Sequence, residues 1–355
     1  TALLHLLHKL QSFIVTGKKV AELFKGTELT RWVSDSSESL LEQHFELDIL
    51  GNGGLYRYQL QIEHQFNPQF YLHQARVKQE HLSFNEQPLF KAGLEPEKNS
   101  HRSIGLAYLY NDDYTCQGGA PYPFDWSSSG LTGLHERQDN QKLTWFKKYL
   151  ARFFIIQLDP RAMSSEIQYP QTHPTWLLDN YANWFDHLAD EYRGEVHQLE
   201  EELRQVIKGF GWFTLTKVGE TTKILKIDLA GSSFKLDELS EGQRALMALY
   251  TLLYCLPPGE CTLCIDEPEN FLALPEIQPW LDRLYDRCCS PKAHATQVLL
   301  VSHHPRIINY LSSSAGFWLS RPDQRHVRWQ KVTDSEENTG LSIAKLIELG
   351  WIYDQ

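Results

Sequence analysis

Three patterns in the amino-acid sequence predict an α/β protein in which an antiparallel β region precedes a helical stretch and a parallel sheet. From about Phe45 to Leu89 apolar and polar residues alternate, the period-2 signature of half-buried strands. Between Leu143 and Phe210 apolar residues recur at every third or fourth position, which sets them on one face of a helix. Beyond Gly209 short apolar runs take turns with helix-length segments, as in a parallel sheet whose strands are joined by helices. The organisation expected is an N-terminal lobe over 1–135, a helical insertion over 136–210 and a C-terminal lobe over 211–355.

In chain order, the opening segment has Leu3, Leu6, Leu7 and Leu10 on one helical stripe. The β region follows with Phe45, Leu47 and Ile49, then Tyr56, Tyr58, Leu60 and Ile62, then Phe70 and Leu72, then Val77. Gly51-Asn52-Gly53-Gly54 between the first two runs marks a tight hairpin turn. Residues 111–135 are rich in Asn, Asp, Gly, Pro and Ser, hence a surface excursion. Helices are predicted from Leu143 to Ile156 and, as one long helix or a helical hairpin, from Trp176 to Phe210, where Val196, Leu199, Leu203, Val206 and Phe210 share a stripe. Strands follow at Trp212 to Lys217 and Lys223 to Leu229. Next come a helix from Glu241 to Leu256 stopped by Pro257-Pro258, a strand from Cys261 to Ile265 and a helix from Pro275 to about Arg287. A strand from Gln297 to Val301 and a short helix from Pro305 to Leu311 complete the alternation, and a tail of two short strands and a final helix closes the chain.

Composition bounds the function. With 42% hydrophobic and 22% charged residues the chain reads as globular, which excludes disordered, collagen-like and low-complexity classes. Forty-five acids against thirty-four bases give a net charge of −11, so no overall basic field draws it to DNA or an anionic membrane. No run reaches the roughly 18 to 20 apolar residues of a membrane span, and residues 1–11 lack the features of a secretory signal. Six scattered or adjacent cysteines lack the density of a disulfide scaffold. The expectation is a cytoplasmic protein with reduced thiols and no membrane partner. Cys261 and Cys264 have zinc or redox spacing but fall inside a predicted strand with no second pair, which favours packing over metal. His5 and His8 share a helix face without a third ligand candidate, and Asp112-Asp113 sits in the turn-rich excursion.

The chemistry concentrates in the last third. Thr262-Leu263-Cys264-Ile265 runs directly into Asp266-Glu267, so a buried strand delivers two carboxylates at its C-terminal end, where ligands bind in open α/β sheets. In phosphoryl transfer one such carboxylate holds Mg²⁺ and the other orients or deprotonates the attacking water. Upstream, Leu239-Ser240-Glu241-Gly242-Gln243-Arg244 precedes an apolar helix. Ser240 suits an N-cap, and Gly242 permits close approach of backbone, so this start reads either as an anion site or as a plain capping box. Downstream, Val298-Leu299-Leu300-Val301 ends in Ser302-His303-His304-Pro305, a second buried strand that presents imidazole at the same sheet edge.

These segments resemble the ABC-type ATPase heads of the SMC, RecF and OLD group. Leu239 to Gln243 looks like their signature motif, Cys261 to Glu267 like their Walker B strand with its catalytic glutamate, and Val301-Ser302-His303 like their switch histidine. Asp266-Glu267-Pro268-Glu269-Asn270-Phe271-Leu272 looks like the start of the D-loop in the RecF and OLD-like branch. That branch commonly continues with Leu-His-Pro, where this chain has Leu272-Ala273-Leu274-Pro275. The resemblance implies an ABC-type head built from an antiparallel β lobe, a P-loop NTPase core and a helical insertion. It implies ATP and Mg²⁺ as cofactors and two copies pairing head to tail around each ATP. On that template Asp266 and Thr1 would hold Mg²⁺, Glu267 would polarise water, and His303 would sense the γ-phosphate. Ser240, Gly242 and Gln243 would close over it from the second copy, while the Q-loop glutamine stays open among Gln59, Gln61 and Gln79.

A nucleotide-binding head needs Gly-x-x-x-x-Gly-Lys-Ser/Thr, and that string does not occur in the sequence. Thr1-Ala2-Leu3-Leu4 looks like the residues that succeed its Gly-Lys, so the expectation is a fragment whose numbering begins at the Mg²⁺-ligating Thr1. About fifty residues lie beyond His303, too few for the Toprim nuclease module that OLD proteins carry, so any nuclease would be another chain. The resemblance implies an ATPase that switches an assembly, like the stand-alone ATPase subunits of anti-phage defence systems with a separate nuclease effector. Two alternatives stay open: a RecF-like DNA-repair clamp, and a scaffold that binds ATP without turning it over.

Overall fold

The structure, a computed structural model, describes residues 2–28, 42–67, 72–96, 103–113, 121–257, 259–289, 296–320, 327–332 and 341–349. It is a mixed α/β fold, with antiparallel sheets and a parallel pair of strands. Contacts divide it into two compact units, residues 2–153 and 154–355.

The first unit holds α1 (Ala2–Gln11), α2 (Val20–Leu23), β1 (Glu42–Gly51), β2 (Gly54–Asn67), β3 (Leu72–Phe84), β4 (Gln87–Pro96), β5 (Ser103–Leu109), β6 (Tyr122–Pro123) and α3 (Gln141–Ala151). The strands form one antiparallel meander in sequence order. The β1–β2 turn places both Asn52 and Gly53 at positive φ, and Asn85 and Glu86 do the same between β3 and β4. This turn geometry matches the twist of the flanking strands. Along β2 Tyr56, Tyr58, Leu60 and Ile62 are buried while Arg57 and Gln59 face out, so one face of the sheet is apolar. That face packs on α3: Trp145 stacks on Tyr56 at 4.9 Å, and Phe146 lies against Tyr56 and Tyr58.

One carboxylate lies inside this packing. Glu80 on β3 is fully buried and accepts from Tyr58 Oη at 2.9 Å, Ser129 Oγ at 2.5 Å and the Gly130 N–H at 2.8 Å. Burial nevertheless pushes its carboxyl above the usual range, because three donors do not fully replace water around a charge.

The opening stripe is buried at Leu10 and half-buried at Leu3, Leu6 and Leu7, with Leu4 also buried, and the wider turn that follows over Ser12–Thr16 buries Phe13 and Ile14. One sequence expectation is corrected here. The helix expected to reach Ile156 stops at Ala151, and Phe153–Gln157 forms a strand, β7. An apolar run of four residues fits either state by pattern alone, and aromatic and β-branched side chains favour the strand.

In the second unit β7 is followed by β8 (Glu166–Ile167), α4 (Tyr181–Glu191), α5 (Arg193–Val206), β9 (Phe210–Val218), β10 (Thr222–Leu229) and β11 (Ser232–Lys235). Then come α6 (Glu241–Tyr254), β12 (Cys261–Asp266), α7 (Leu274–Cys289), β13 (Thr296–Val301), α8 (Pro305–Ala315), β14 (Phe317–Ser320), β15 (Arg328–Lys331) and α9 (Ile343–Glu348). Of the two alternatives for the stretch from Trp176, one long helix or a pair, the chain forms two helices that meet at Tyr192, and the first starts at Tyr181. Asn180 ties down the preceding loop by bonding Gln171, the His173 carbonyl and the Thr175 N–H.

A three-stranded sheet of order β13-β12-β7 carries the unit, with β12 and β13 parallel from Cys261↔Thr296 to Asp266↔Val301. All of β12 is buried, and α6 is buried all round from Ala245 to Leu253, as befits a helix enclosed on every side. Its backbone is anchored by Trp280, whose Nε1 donates to the Leu249 carbonyl at 3.0 Å. Tyr181 Oη meets Thr251 Oγ1 at 2.9 Å on another side. Among the described residues no helix is long and apolar enough to cross a membrane.

Replacing Glu80 by Ala leaves two buried hydroxyls and the part-buried Gly130 N–H without this acceptor, and urea unfolding should show a loss of roughly 1–3 kcal/mol or more. The folded protein also holds a proton on Glu80 at pH values where the unfolded chain, at about 4.5, has released it. That contribution is complete below about pH 4.5 and is lost as pH rises through the raised value. Against a Glu80→Gln reference, wild-type stability should therefore fall from pH 4.5 toward pH 8, as measured by urea titrations across that range.

Candidate active site

The site is assembled by one strand pair. Because β12 and β13 are parallel and in register at Asp266↔Val301, the loops that leave the two strands emerge at the same edge. Asp266 is the last residue of β12 and is 2% exposed. Gln157, the last residue of β7, donates from Nε2 to Asp266 Oδ2 at 3.1 Å. The other end of that amide accepts from Trp176 Nε1 at 3.0 Å, which fixes how it is turned. Gln59, Gln61 and Gln79, the candidates left open by the sequence, lie on β2 and β3 of the antiparallel sheet, where Gln61 bonds Glu42. The glutamine that touches Asp266 is Gln157, hidden because its strand reads as the end of a helix. The signal available was a polar amide closing the apolar run Phe153-Phe154-Ile155-Ile156.

Glu267 continues the ladder by donating its N–H to the Val301 carbonyl at 2.7 Å, yet its backbone is left-handed, with φ 48°. Phe271 repeats this at φ 71°. Left-handed backbone at a non-glycine residue costs of order 1 kcal/mol, and such strain concentrates at functional sites. The Glu267 carboxylate is partly exposed; Oε1 lies 3.8 Å from His303 Nε2, and Oε2 accepts from Asn270 Nδ2 at 2.8 Å. His303 comes just after β13 and is 83% exposed, its ring toward solvent. The next residue, His304, caps α8 by accepting the Arg306 N–H on Nδ1. Asp266, Glu267 and His303 thus stand together at one edge.

The start of α6 abuts the same loop. Ser240 caps the helix in a reciprocal box: its hydroxyl accepts the Gln243 N–H at 3.2 Å, while Gln243 Oε1 accepts the Ser240 N–H at 3.1 Å. The capping reading is the one realised in the single chain. Ser240 is nonetheless exposed. A Cβ at Gly242 would meet the Phe271 carbonyl oxygen at 3.1 Å, so glycine is what lets the helix start sit against the loop after Glu267. Arg161 braces both, bonding Glu241 at 3.0 Å and lying over the Phe271 ring at 5.3 Å.

Thr1 lies outside the described residues. Among those described, no cluster of three or more His, Cys, Asp or Glu could hold a metal ion on its own. A carboxylate at a strand end is, however, a hard-oxygen ligand that fits Mg²⁺, which takes one or two carboxylates and draws its remaining ligands from water and phosphate; the Gln157 amide, with its nitrogen toward Asp266, orients that carboxylate and offers no oxygen to the ion. Cys261 and Cys264 are free and buried in β12, and burial pushes the Cys264 thiol up to about 12, so that thiol is not primed as a metal or redox ligand.

Gln157→Leu removes a hydrogen bond from a buried carboxylate, and unfolding in urea followed by tryptophan fluorescence should show a loss of about 1–3 kcal/mol. Gln157→Glu, which sets a second carboxylate against Asp266, should cost more.

No curated protein matches the chain. One family does: the family described as "AAA domain, putative AbiEii toxin, Type IV TA system" matches residues 3–309, a span that runs from α1 through the strand pair and into α8. With most of its length matched, including Asp266, Glu267 and His303, the chain belongs to this family of AAA-domain ATPases.

Proposed function

We propose that this protein hydrolyses ATP with Mg²⁺ and uses the cycle to switch an assembly, as an ABC-type head of the RecF and OLD-like branch. The observation that carries the reading is the edge at which Asp266, Glu267 and His303 converge, with the buried aspartate backed by Gln157. Asp266, together with Thr1, would hold the ion, which supplies charge neutralisation on the phosphates when bound. Glu267, beside His303 and open to solvent, is suited to orient and polarise a water. His303 would lie against the γ-phosphate. Residues 1–135 and 211–355 would be the two lobes of the head and 136–210 its insertion.

Ser240, Gly242 and Gln243 would serve a second copy, so that each nucleotide lies between two chains head to tail. The exposure of Ser240 leaves that surface reachable. The effector would be a separate protein such as a nuclease, in an anti-phage defence complex. The family's description, which names a toxin of a toxin–antitoxin system, supports a role in defence or growth arrest over housekeeping. Duplex DNA is the partner to test for the RecF-like alternative, by its effect on turnover.

In the native protein produced from its gene, Glu267→Gln should lower steady-state ATP hydrolysis at least 100-fold, about 2.7 kcal/mol at 1.36 kcal/mol per decade. Nucleotide binding should persist and an ATP-bound dimer should accumulate on size-exclusion chromatography. Undiminished turnover in that variant would remove the proposed mechanism.

A further inference from the structure

We propose that Asn270 and Glu269, the pair directly after Glu267-Pro268, are positioning residues that set the distance between Glu267 and His303. The inference rests on the reading of Glu267 as the group that polarises water, and it adds the residues that hold that group in place. Glu267 sits in left-handed backbone and its carboxylate is partly exposed. Asn270 holds that carboxylate, and Glu269 holds the segment that bears His303.

Asn270 Nδ2 donates to Glu267 Oε2 at 2.8 Å, and the Asn270 N–H donates to the Glu267 carbonyl at 3.0 Å. A carboxylate only accepts, so the amide must present its nitrogen here. Glu269 points the other way: its Oε1 accepts from Ser302 Oγ at 2.6 Å. The same hydroxyl oxygen receives the His304 N–H at 3.0 Å, so Ser302 is gripped from both sides, directly before His303. The loop after β12 thereby holds its own glutamate with one residue and the segment bearing the histidine with the preceding one. The Glu267–His303 separation of 3.8 Å results from this clasp, not from a strong bond between the two groups. The second Glu269 oxygen, Oε2, is buried and has no partner among the described residues. The clasp thus hangs on the single bond to Ser302.

The test uses the native protein with Asn270→Asp, Asn270→Ala, Ser302→Ala and Ser302→Thr, beside Glu267→Gln. Asn270 is exposed, and Asn270→Asp keeps its shape while removing the donor, so folding is preserved. Both Asn270 variants and Ser302→Ala should lower kcat roughly 10- to 100-fold, as expected for a misplaced reacting group. KM for ATP should stay nearly constant, and Ser302→Thr should restore kcat. Hydrogen exchange of the amides from Glu267 to Phe271 should quicken in Asn270→Asp without nucleotide. Full turnover in Asn270→Asp while Glu267→Gln is inactive would overturn the clasp and leave the reading of Glu267 standing. Should Glu267→Gln keep full turnover, the reading fails, and exchange alone decides the clasp: unchanged protection in Asn270→Asp overturns it.

Discussion

The parallel pairing of β12 with β13 is the constraint on which the rest of the site depends. Six buried residues in β12 have no freedom to slip, because every one of them fits an interior position and a shift would change each contact. The bond from the Glu267 N–H to the Val301 carbonyl carries the ladder one residue beyond the strand. Two loops therefore leave the sheet at a common height, one bearing carboxylates and the other imidazole. Neither loop could be placed by its own composition, since both are short and polar. β12 is made for burial, whereas β13, expected as a second buried strand, is only partly covered; apolar packing of the one strand supplies the precision with which the two loops meet.

Around that pair the second unit arranges its support by burial from several directions. α6 is enclosed along most of its length, so its N-terminal turn is held rigidly although Ser240 itself is exposed. Gly242 and Arg161 then join that turn to the loop that begins at Glu267. The helix start and the carboxylate loop are thus in direct contact. The family match, which runs continuously over residues 3–309, is consistent with a chain in which these parts belong to one ATPase core.

How much of this could be read from the sequence varied with the kind of signal. The run Thr262-Leu263-Cys264-Ile265 before two acids is legible because a fully buried strand has no alternation to misread, and glycines at 51, 53 and 54 announce a turn with little competition. β7 is not legible: Phe153 to Ile156 comes after a true helix without a proline or glycine between them, and only its neighbour β12 makes it a strand. Gln157 was lost with it, because a glutamine acquires meaning from the aspartate beside it and not from its own flanks. The break at Tyr192 has no local marker, since the apolar period of α5 extends without interruption toward α4, which is why one long helix and a helical hairpin both fit the pattern. Ser240 and Gln243 fit two readings at once, and the cap is the one that a lone chain satisfies. The side-chain bonds of Glu269 and Asn270 join residues 33 and 3 positions apart; the longer of these has no local signature at all.

The left-handed backbone at Glu267 has a consequence for anyone who engineers this protein. Glycine would occupy that conformation with no steric penalty, so a screen rewarding heat resistance alone is expected to drift toward glycine there, gaining up to about 1 kcal/mol. Such a screen would harvest robustness by discarding the carboxylate that stands beside His303. Backbone comfort and the Glu267–His303 pairing pull against each other at this one position, and a library meant to harden the fold should leave it fixed.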